Sequence, residues 1–254
     1  MELNQQAGRS GLVVDDNRIN RRVASAMLNR LGFTHIVEAE NGQEALAWIK
    51  SSSFDLILMD CEMPVMDGFE STRQIRLWES ESSKPASLII AITARELEGD
   101  RERCLQAGMN DYLTKPLHIE TLQGIMQNRD KENVPVSASM ERDDISIIDE
   151  PRYEKMCVLL RDGVHDFYQD YLLATREKLD DIQSRLDMPV ETSTRLIHSI
   201  RGSAANVGAG KLHELARLLE ERLEAGETSV LHEEVSSLYE CLNQLESQIQ
   251  VRLG

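Results

Sequence analysis

GLVVDDNRINRRVASAMLNRL, residues 11–31, opens on a small apolar run, turns on two aspartates and closes on an amphipathic helical pattern. Gly-Leu-Val-Val is too short for a helix and rich in β-branched side chains, as in a strand buried on both faces. Asp16 and Asn17 offer capping side chains to the helix expected from about Asn17 to Leu31. The alternation then repeats. HIVEA (35–39) precedes a helix from about Gly42 to Lys50, and FDLILMD (54–60) a helix from about Gly68 to Glu79. SLIIAIT (87–93) precedes a helix over roughly 96–107, and NDYLT (110–114) a last helix from about Leu117. Five strand-helix repeats predict a doubly wound α/β domain, a parallel sheet with helices on both faces. In such open sheets function collects at the carboxyl ends of the strands.

Residues 129–147, RDKENVPVSASMERDDISI, lose this periodicity and gain charge, serine and a proline, the composition of a linker. Beyond it no strand pattern occurs. Helical patterns run over about 150–161, 164–187, 190–207, 210–225 and 228–252, broken at Gly163, Pro189, Gly208, Gly210 and Gly226. Apolar residues at three and four spacing between such breakers predict an antiparallel four-helix bundle. The expected organisation is therefore a first domain at 9–128, a linker at 129–147 and a helical domain at 148–254.

The bulk numbers agree with two domains and exclude several functions. A chain of 254 residues with 41% hydrophobic and 28% charged residues can bury two cores. With 44 acidic against 28 basic residues its net charge is −16, which repels a phosphate backbone, and no basic block offsets it, so no nucleic acid is expected as partner. Four cysteines, at 61, 104, 157 and 241, are scattered without a CxxC pair, the usage of reduced thiols in a cytoplasmic protein. No apolar run approaches the roughly 18 residues of a membrane span, so no direct membrane insertion is expected.

Polar side chains sit where the predicted strands end. The first ends in Asp15 and Asp16, the third in Asp60, the fourth in Thr93 and the fifth in Lys115. Along one edge of a parallel sheet these residues converge although they span about a hundred positions. Three clustered carboxylates need a cation, and Mg²⁺, with one or two carboxylates plus phosphate oxygens and water, suits oxygen ligands of this kind.

LVVDDNRINRRVASAMLNRLG, LILMDCEMPVMDG, AITA and DYLTKP resemble, in order and spacing, the motifs of response-regulator receiver domains, especially those of hybrid sensor kinases. The resemblance covers nearly all of residues 10–128 and implies a flavodoxin-like five-stranded sheet of order 2-1-3-4-5. It implies Asp60 as phospho-acceptor, and Mg²⁺ held by Asp15 or Asp16, by Asp60 and by the backbone carbonyl of Glu62. Thr93 and Lys115 would contact the phosphoryl oxygens. Thr93 and the aromatic three residues before the lysine, Tyr112, would form the switch, and the Lys115-Pro116 bond would be cis. Glu62 and Arg95 stand where family members tune the lifetime of the phosphate. Cys61 and Met63 read as packing.

LIHSIRGSAANVG, residues 196–208, carries the second feature. Leu196, Ile197, Ile200, Ala204 and Val207 form an apolar stripe, while Thr194, His198, Arg201, Gly202 and Ala205 follow a neighbouring polar or small face. His198 is thus expected at the bundle surface with a cation one turn away. A glycine inside a helix costs about 1 kcal/mol relative to alanine. At 202 it leaves no side chain above the imidazole, so a partner can approach closely. LIHSIRGSAANVGAGKLHELARLLE resembles a histidine-containing phosphotransfer domain, in which the phospho-accepting histidine is followed by a basic residue at plus three and glycine at plus four. Arginine at 201 departs from the commoner lysine, keeping the charge on a wider forked donor. The histidines at 35, 118, 165, 213 and 232 lack this setting and read as ordinary.

Together the two resemblances imply a phosphorelay intermediate: Asp60 accepts from a sensor histidine kinase, and His198 exchanges the group with the aspartate of a receiver domain, its own or that of a downstream response regulator. Neutral imidazole, with an unperturbed pKa near 6.5, is the nucleophile. A coil the length of the linker reaches roughly 24 Å, which permits transfer within one chain. The rival reading is a binding switch, in which phosphorylated Asp60 alters how the helical domain engages a partner; a third is a segment of a larger hybrid kinase. No ATP-dependent autophosphorylation is expected, and the place of action is the cytoplasm, alone or beside a membrane sensor kinase.

Overall fold

The computed structural model describes residues 8–93, 100–127, 145–184 and 189–253. The chain divides into two compact units, Met1–Ser137 and Ala138–Gly254. In the first, strands β1 (Arg9–Val14), β2 (Phe33–Ala39), β3 (Leu56–Asp60), β4 (Ile89–Thr93) and β5 (Asp111–Thr114) form a parallel sheet ordered β2-β1-β3-β4-β5. The order reverses between β1 and β3, which opens a crevice at their carboxyl ends. Every residue of β3 and β4 is buried, as the continuous apolar runs require.

Helices α1 (Arg18–Arg30), α2 (Gly42–Ser51), α3 (Gly68–Glu81), α4 (Asp100–Ala107) and α5 (Ile119–Gln127) cover this sheet. Three are started by side-chain caps: Asn17 accepts from the Ile19 amide at 2.9 Å, Asn41 from Glu44 at 3.0 Å and Asp67 from Glu70 at 2.7 Å. The fourth helix was expected from 96, but residues 94–99 lie outside the described set. The fifth begins two residues later than expected because Leu117 turns into the core, where it is buried. The Lys115-Pro116 bond is cis.

In the second unit α6 (Glu150–Leu160) precedes four long helices, α7 (Val164–Ser184), α8 (Val190–Val207), α9 (Gly210–Glu224) and α10 (Leu231–Leu253). Each of the four packs on the next, and α10 packs back on α7, which closes a four-helix bundle; α6 lies against α7 and α8. The core is built from Phe167, Tyr168, Tyr171, Ile197, Ile200, Leu212, Leu219, Leu238 and Leu242. The breakers act differently in detail. Residues Arg161–Gly163 and Thr228–Val230 tighten into single 3₁₀ turns, so the last helix starts at Leu231. Gly208 ends α8 with φ +81°, and a Cβ there would lie 3.1 Å from the Tyr153 amide nitrogen, so both conformation and space call for glycine.

Most of the expected linker, and residues 185–187 of the expected second bundle helix, lie outside the described set. The described end of that linker is tied down: the Lys211 amide donates to the Ser146 carbonyl at 3.0 Å, and the Asp149 amide to that of Gly208 at 2.8 Å.

Candidate functional site

At the carboxyl edge of the sheet the register sets the residues side by side. Val14 pairs with Met59, Asp60 with Ile92 and Thr93 with Thr114, so Asp15, Asp60, Thr93 and Lys115 end adjacent strands. The Lys115 amide donates to the Thr93 carbonyl at 2.8 Å, which carries the sheet pairing one residue further. From there the lysine side chain, only 4% exposed, sends Nζ to 2.8 Å from Asp60 Oδ2 and 3.0 Å from Asp15 Oδ2. Asp15 Oδ1 accepts from the Asn17 amide at 2.8 Å and from Asn20 Nδ2 at 3.1 Å. Asp60 Oδ1 accepts from the Glu62 amide at 3.3 Å. Glu62 thus meets the pocket through its backbone, while its side chain is exposed.

Asp15 and Asp60 are buried and Asp16 is exposed, yet one carboxylate oxygen of each lies within 4.8 Å of the others. Burial pushes the Asp60 carboxyl well above the usual carboxylate range; Lys115 opposes this and the Asp15 charge adds to it. Burial alone pulls the Lys115 ammonium down, but Asp15 and Asp60 reverse that and hold it protonated. Three carboxylates converge here, with the Lys115 ammonium on two of them. A hard divalent cation with oxygen ligands fits such a cluster, and Asp15, Asp16 and Asp60 are the side chains that could hold it.

Two further positions shape the pocket. Gly68, the first residue of α3, lies so close that a Cβ there would come 2.1 Å from the Asp60 carbonyl oxygen. Tyr112, on β5, is partly buried against the cluster that contains Met59, Cys61 and Ala91. Thr93 is buried at the end of β4. Arg95 lies outside the described residues.

The second set of residues centres on α8. The His198 side chain is 13% exposed, and its Nδ1 lies 2.8 Å from Oε1 of Glu220, a buried residue of α9. A carboxylate only accepts, so Nδ1 carries a proton, and in the neutral ring the lone pair is then on Nε2. Arg201 Nη1 lies 2.9 Å from Glu220 Oε2. Arg201 Nη2 is also 3.4 Å from His198 Nδ1, but a protonated Nδ1 has no lone pair to offer, so that contact is proximity and not a hydrogen bond.

The expected open polar face needs correction. Of its members Arg201 is only 9% exposed and Gly202 is buried, while Thr194, His198 and Ala205 are part-exposed; Ala204 is buried, as the apolar stripe requires. Three helices enclose this half of α8. His213 of α9 lies 3.1 Å from the Arg201 carbonyl, Arg152 of α6 donates to that of Asn206 at 2.8 Å, and Tyr168 of α7 to that of Val207 at 2.7 Å. Burial pulls the His213 imidazole below its usual range, which favours the neutral ring that donates to that carbonyl.

Sequence reasoning missed Glu220, Asn20 and Arg21. Glu220 is buried among Leu212, Ala216, Leu219 and Leu223 of α9, where a charge needs a partner.

Residues 12–127 match the response regulator receiver domain family, and residues 166–248 match the Hpt domain family. Among curated proteins the chain is 29% identical over 224 residues to the signal transduction histidine-protein kinase BarA of Escherichia coli strain K12, covering 85% of this chain and 24% of that protein. It is 46% identical over 114 residues to the hybrid signal transduction histidine kinase B of Dictyostelium discoideum, covering 42% of this chain and 6% of that protein. The chain thus spans about a quarter or less of the length of these relatives. Among solved structures, the receiver domain of a sensor histidine kinase from Pseudomonas aeruginosa PAO1, with magnesium coordinated in its own active-site cleft, is 47% identical. That match covers 48% of this chain and 96% of the other, with a TM-score of 0.42. No helix among the described residues is long and apolar enough to cross a membrane.

Proposed function

With residues 12–127 a response regulator receiver domain and residues 166–248 an Hpt domain, we propose that this two-component phosphorelay protein is an intermediate carrier. Asp60 takes a phosphoryl group from the phosphohistidine of a sensor kinase, and His198 exchanges it with a receiver aspartate, its own or that of a downstream regulator. The observation that carries the reading is the Lys115 ammonium, 2.8 Å from Asp60 and 3.0 Å from Asp15 in a buried carboxylate cluster. The receiver is assigned to 9–128, the connecting segment to 129–147 and the Hpt domain to 148–254, acting in the cytoplasm, alone or beside a membrane sensor kinase.

In the first step an Asp60 oxygen attacks phosphorus and the P–N bond of the donor breaks, releasing a neutral imidazole. Lys115 and Thr93 meet the phosphoryl oxygens as charge moves onto them. Asp15 or Asp16, Asp60 and the Glu62 carbonyl would hold Mg²⁺, which would supply the charge that lets an anionic carboxylate and an anionic phosphoryl group approach. Thr93 then shifts toward the acyl phosphate and Tyr112 turns inward behind it.

In the second step Nε2 of His198 attacks the phosphorus of an acyl phosphate, and the P–O bond breaks to return a carboxylate. No proton moves. The positive charge that develops on the ring is taken up through Nδ1–H by Glu220, which Arg201 holds in place. To meet the phosphoryl oxygens on Nε2 as well, the Arg201 guanidinium has to turn away from Glu220 and the Nδ1 edge, and Gly202 puts no side chain beside it.

The test uses His198→Gln. This variant is expected to load phosphate on Asp60 as the wild type does and to deliver none to the next receiver; continued delivery rules out the relay role of His198.

A further inference from the structure

Asp15 and Asp16 are consecutive residues of the loop that leaves β1, and both carboxylates reach one cluster with Asp60. Side chains of neighbours along a chain point to a common centre only when the peptides between them are fixed. The Asp15 amide donates to the Ala39 carbonyl at 3.2 Å, and both carbonyls of the loop are bound by the guanidinium of Arg21, from the first turn of α1. Its Nη1 donates to the Asp15 carbonyl at 2.9 Å and to the Asp16 carbonyl at 3.2 Å. Its Nη2 pairs with Glu40 at 2.7 Å, and its Nε lies 3.4 Å from Glu38.

Those outer partners are themselves held. Glu38 accepts from Ser25 Oγ at 2.7 Å, and the Glu40 amide donates to Glu44 Oε2 at 3.0 Å, beside the cap of α2. Arg21 is 7% exposed, whereas Glu38 and Glu40 are 38% and 63% exposed, so the charge is anchored from the solvent side and works on the loop from within.

Resting on the reading of the Asp60 pocket as a divalent-cation site, we infer that Arg21 is a positioning residue for it. Arg21 grips the two carbonyls of the loop so that the Asp15 and Asp16 carboxylates are presented together. The guanidinium touches neither carboxylate in this role. Only a forked planar donor spans two carbonyls and two carboxylates at once; a lysine ammonium in its place keeps the charge and loses the span.

Charge and geometry predict opposite signs, which makes the inference testable. Removing a cation beside an acidic cluster, taken alone, strengthens binding of a second cation. Loosening the loop weakens it. Mg²⁺ titrations of the full chain by calorimetry, on wild type, Arg21→Lys and Arg21→Met, separate the two, with thermal unfolding recorded for each. The expected result is a dissociation constant roughly tenfold weaker for Arg21→Lys, the scale of lost outer-shell contacts, and weaker again for Arg21→Met. The Mg²⁺ concentration that half-saturates labelling of Asp60 by acetyl phosphate should move in parallel. A purely structural arginine would lower the unfolding midpoint and leave the Mg²⁺ constant where it was. Unchanged or tighter Mg²⁺ binding by Arg21→Lys overturns the inference and leaves the pocket reading standing. Should Arg21→Met fail to fold, the lysine variant alone decides. A wild type that neither binds Mg²⁺ nor is labelled on Asp60 overturns the pocket reading, and the inference with it.

Discussion

The two proposed phosphoryl sites are built on opposite plans. At Asp60 the groups come from separate strands, with Lys115 meeting Asp15 across 100 positions and Asp60 across 55. At His198 three groups come from two neighbouring helices, and one buried glutamate holds both histidine and arginine. The first site is a cluster of three carboxylates around one ammonium; the second is an imidazole whose Nδ1 edge is held by a carboxylate, leaving Nε2 to face a partner. The sheet edge gathers charge, and the helix pair sets a tautomer.

The sharpest way to break this comparison is to remove the key partner from each site. Lys115→Met leaves two buried carboxylates facing one another, which should cost about 3–5 kcal/mol of stability in chemical denaturation, with part recovered on adding Mg²⁺. If Mg²⁺ recovers none of it, the excess charge is not the organising feature of the pocket. Glu220→Ala frees the His198 ring and strands Arg201. Transfer through His198 should slow by about a hundredfold, the scale of a misplaced reacting group, while Asp60 loads normally. Glu220→Gln, which can still accept from Nδ1–H, should be milder, and equal rates for the two would show that hydrogen bonding to the ring is not what Glu220 contributes.

Much of this was legible before any coordinates. Strand ends are marked by the step from apolar runs to polar residues, and a parallel sheet turns that mark into a common location, so Asp15, Asp60, Thr93 and Lys115 could be gathered from sequence. His198, Arg201 and Gly202 lie on one turn and announce themselves by spacing. Glu220 did not, because it begins the run Glu-Glu-Arg, which reads as a solvated face; its burial depends on how α9 is rotated against α8. The same rotation hides Arg201 and Gly202, which the helix pattern alone set on an open surface. Arg21 stands beside Arg22, and only the depth of the β1–α1 loop tells the buried arginine from its half-exposed neighbour.

Smaller effects sharpen the account of the acceptor loop. Gly68→Ala puts a Cβ 2.1 Å from the Asp60 carbonyl oxygen. The backbone has to shift, at about 1–3 kcal/mol, and labelling of Asp60 should fall with it; stable, fully active Gly68→Ala would show that α3 and the acceptor are not in such close register. Val65, 79% exposed with φ +69°, is a β-branched residue in the left-handed region on the loop after Asp60. Val65→Gly should raise the unfolding free energy by up to about 1 kcal/mol, and a lower value would mean that the valine is held by contacts worth more than its strain.

The most direct test of the two-site account maps the phosphate itself. Wild type, Asp60→Asn and His198→Gln are loaded from acetyl phosphate with Mg²⁺, and the bound phosphate is sorted by its stability to acid and alkali. The account predicts alkali-labile acyl phosphate on the wild type and on His198→Gln and none on Asp60→Asn, with any acid-labile phosphohistidine on the wild type lost in both variants; its presence means that the two domains relay to each other, its absence that His198 serves another receiver or that the binding switch operates. Acid-labile phosphate that survives His198→Gln, or acyl phosphate that survives Asp60→Asn, contradicts the account.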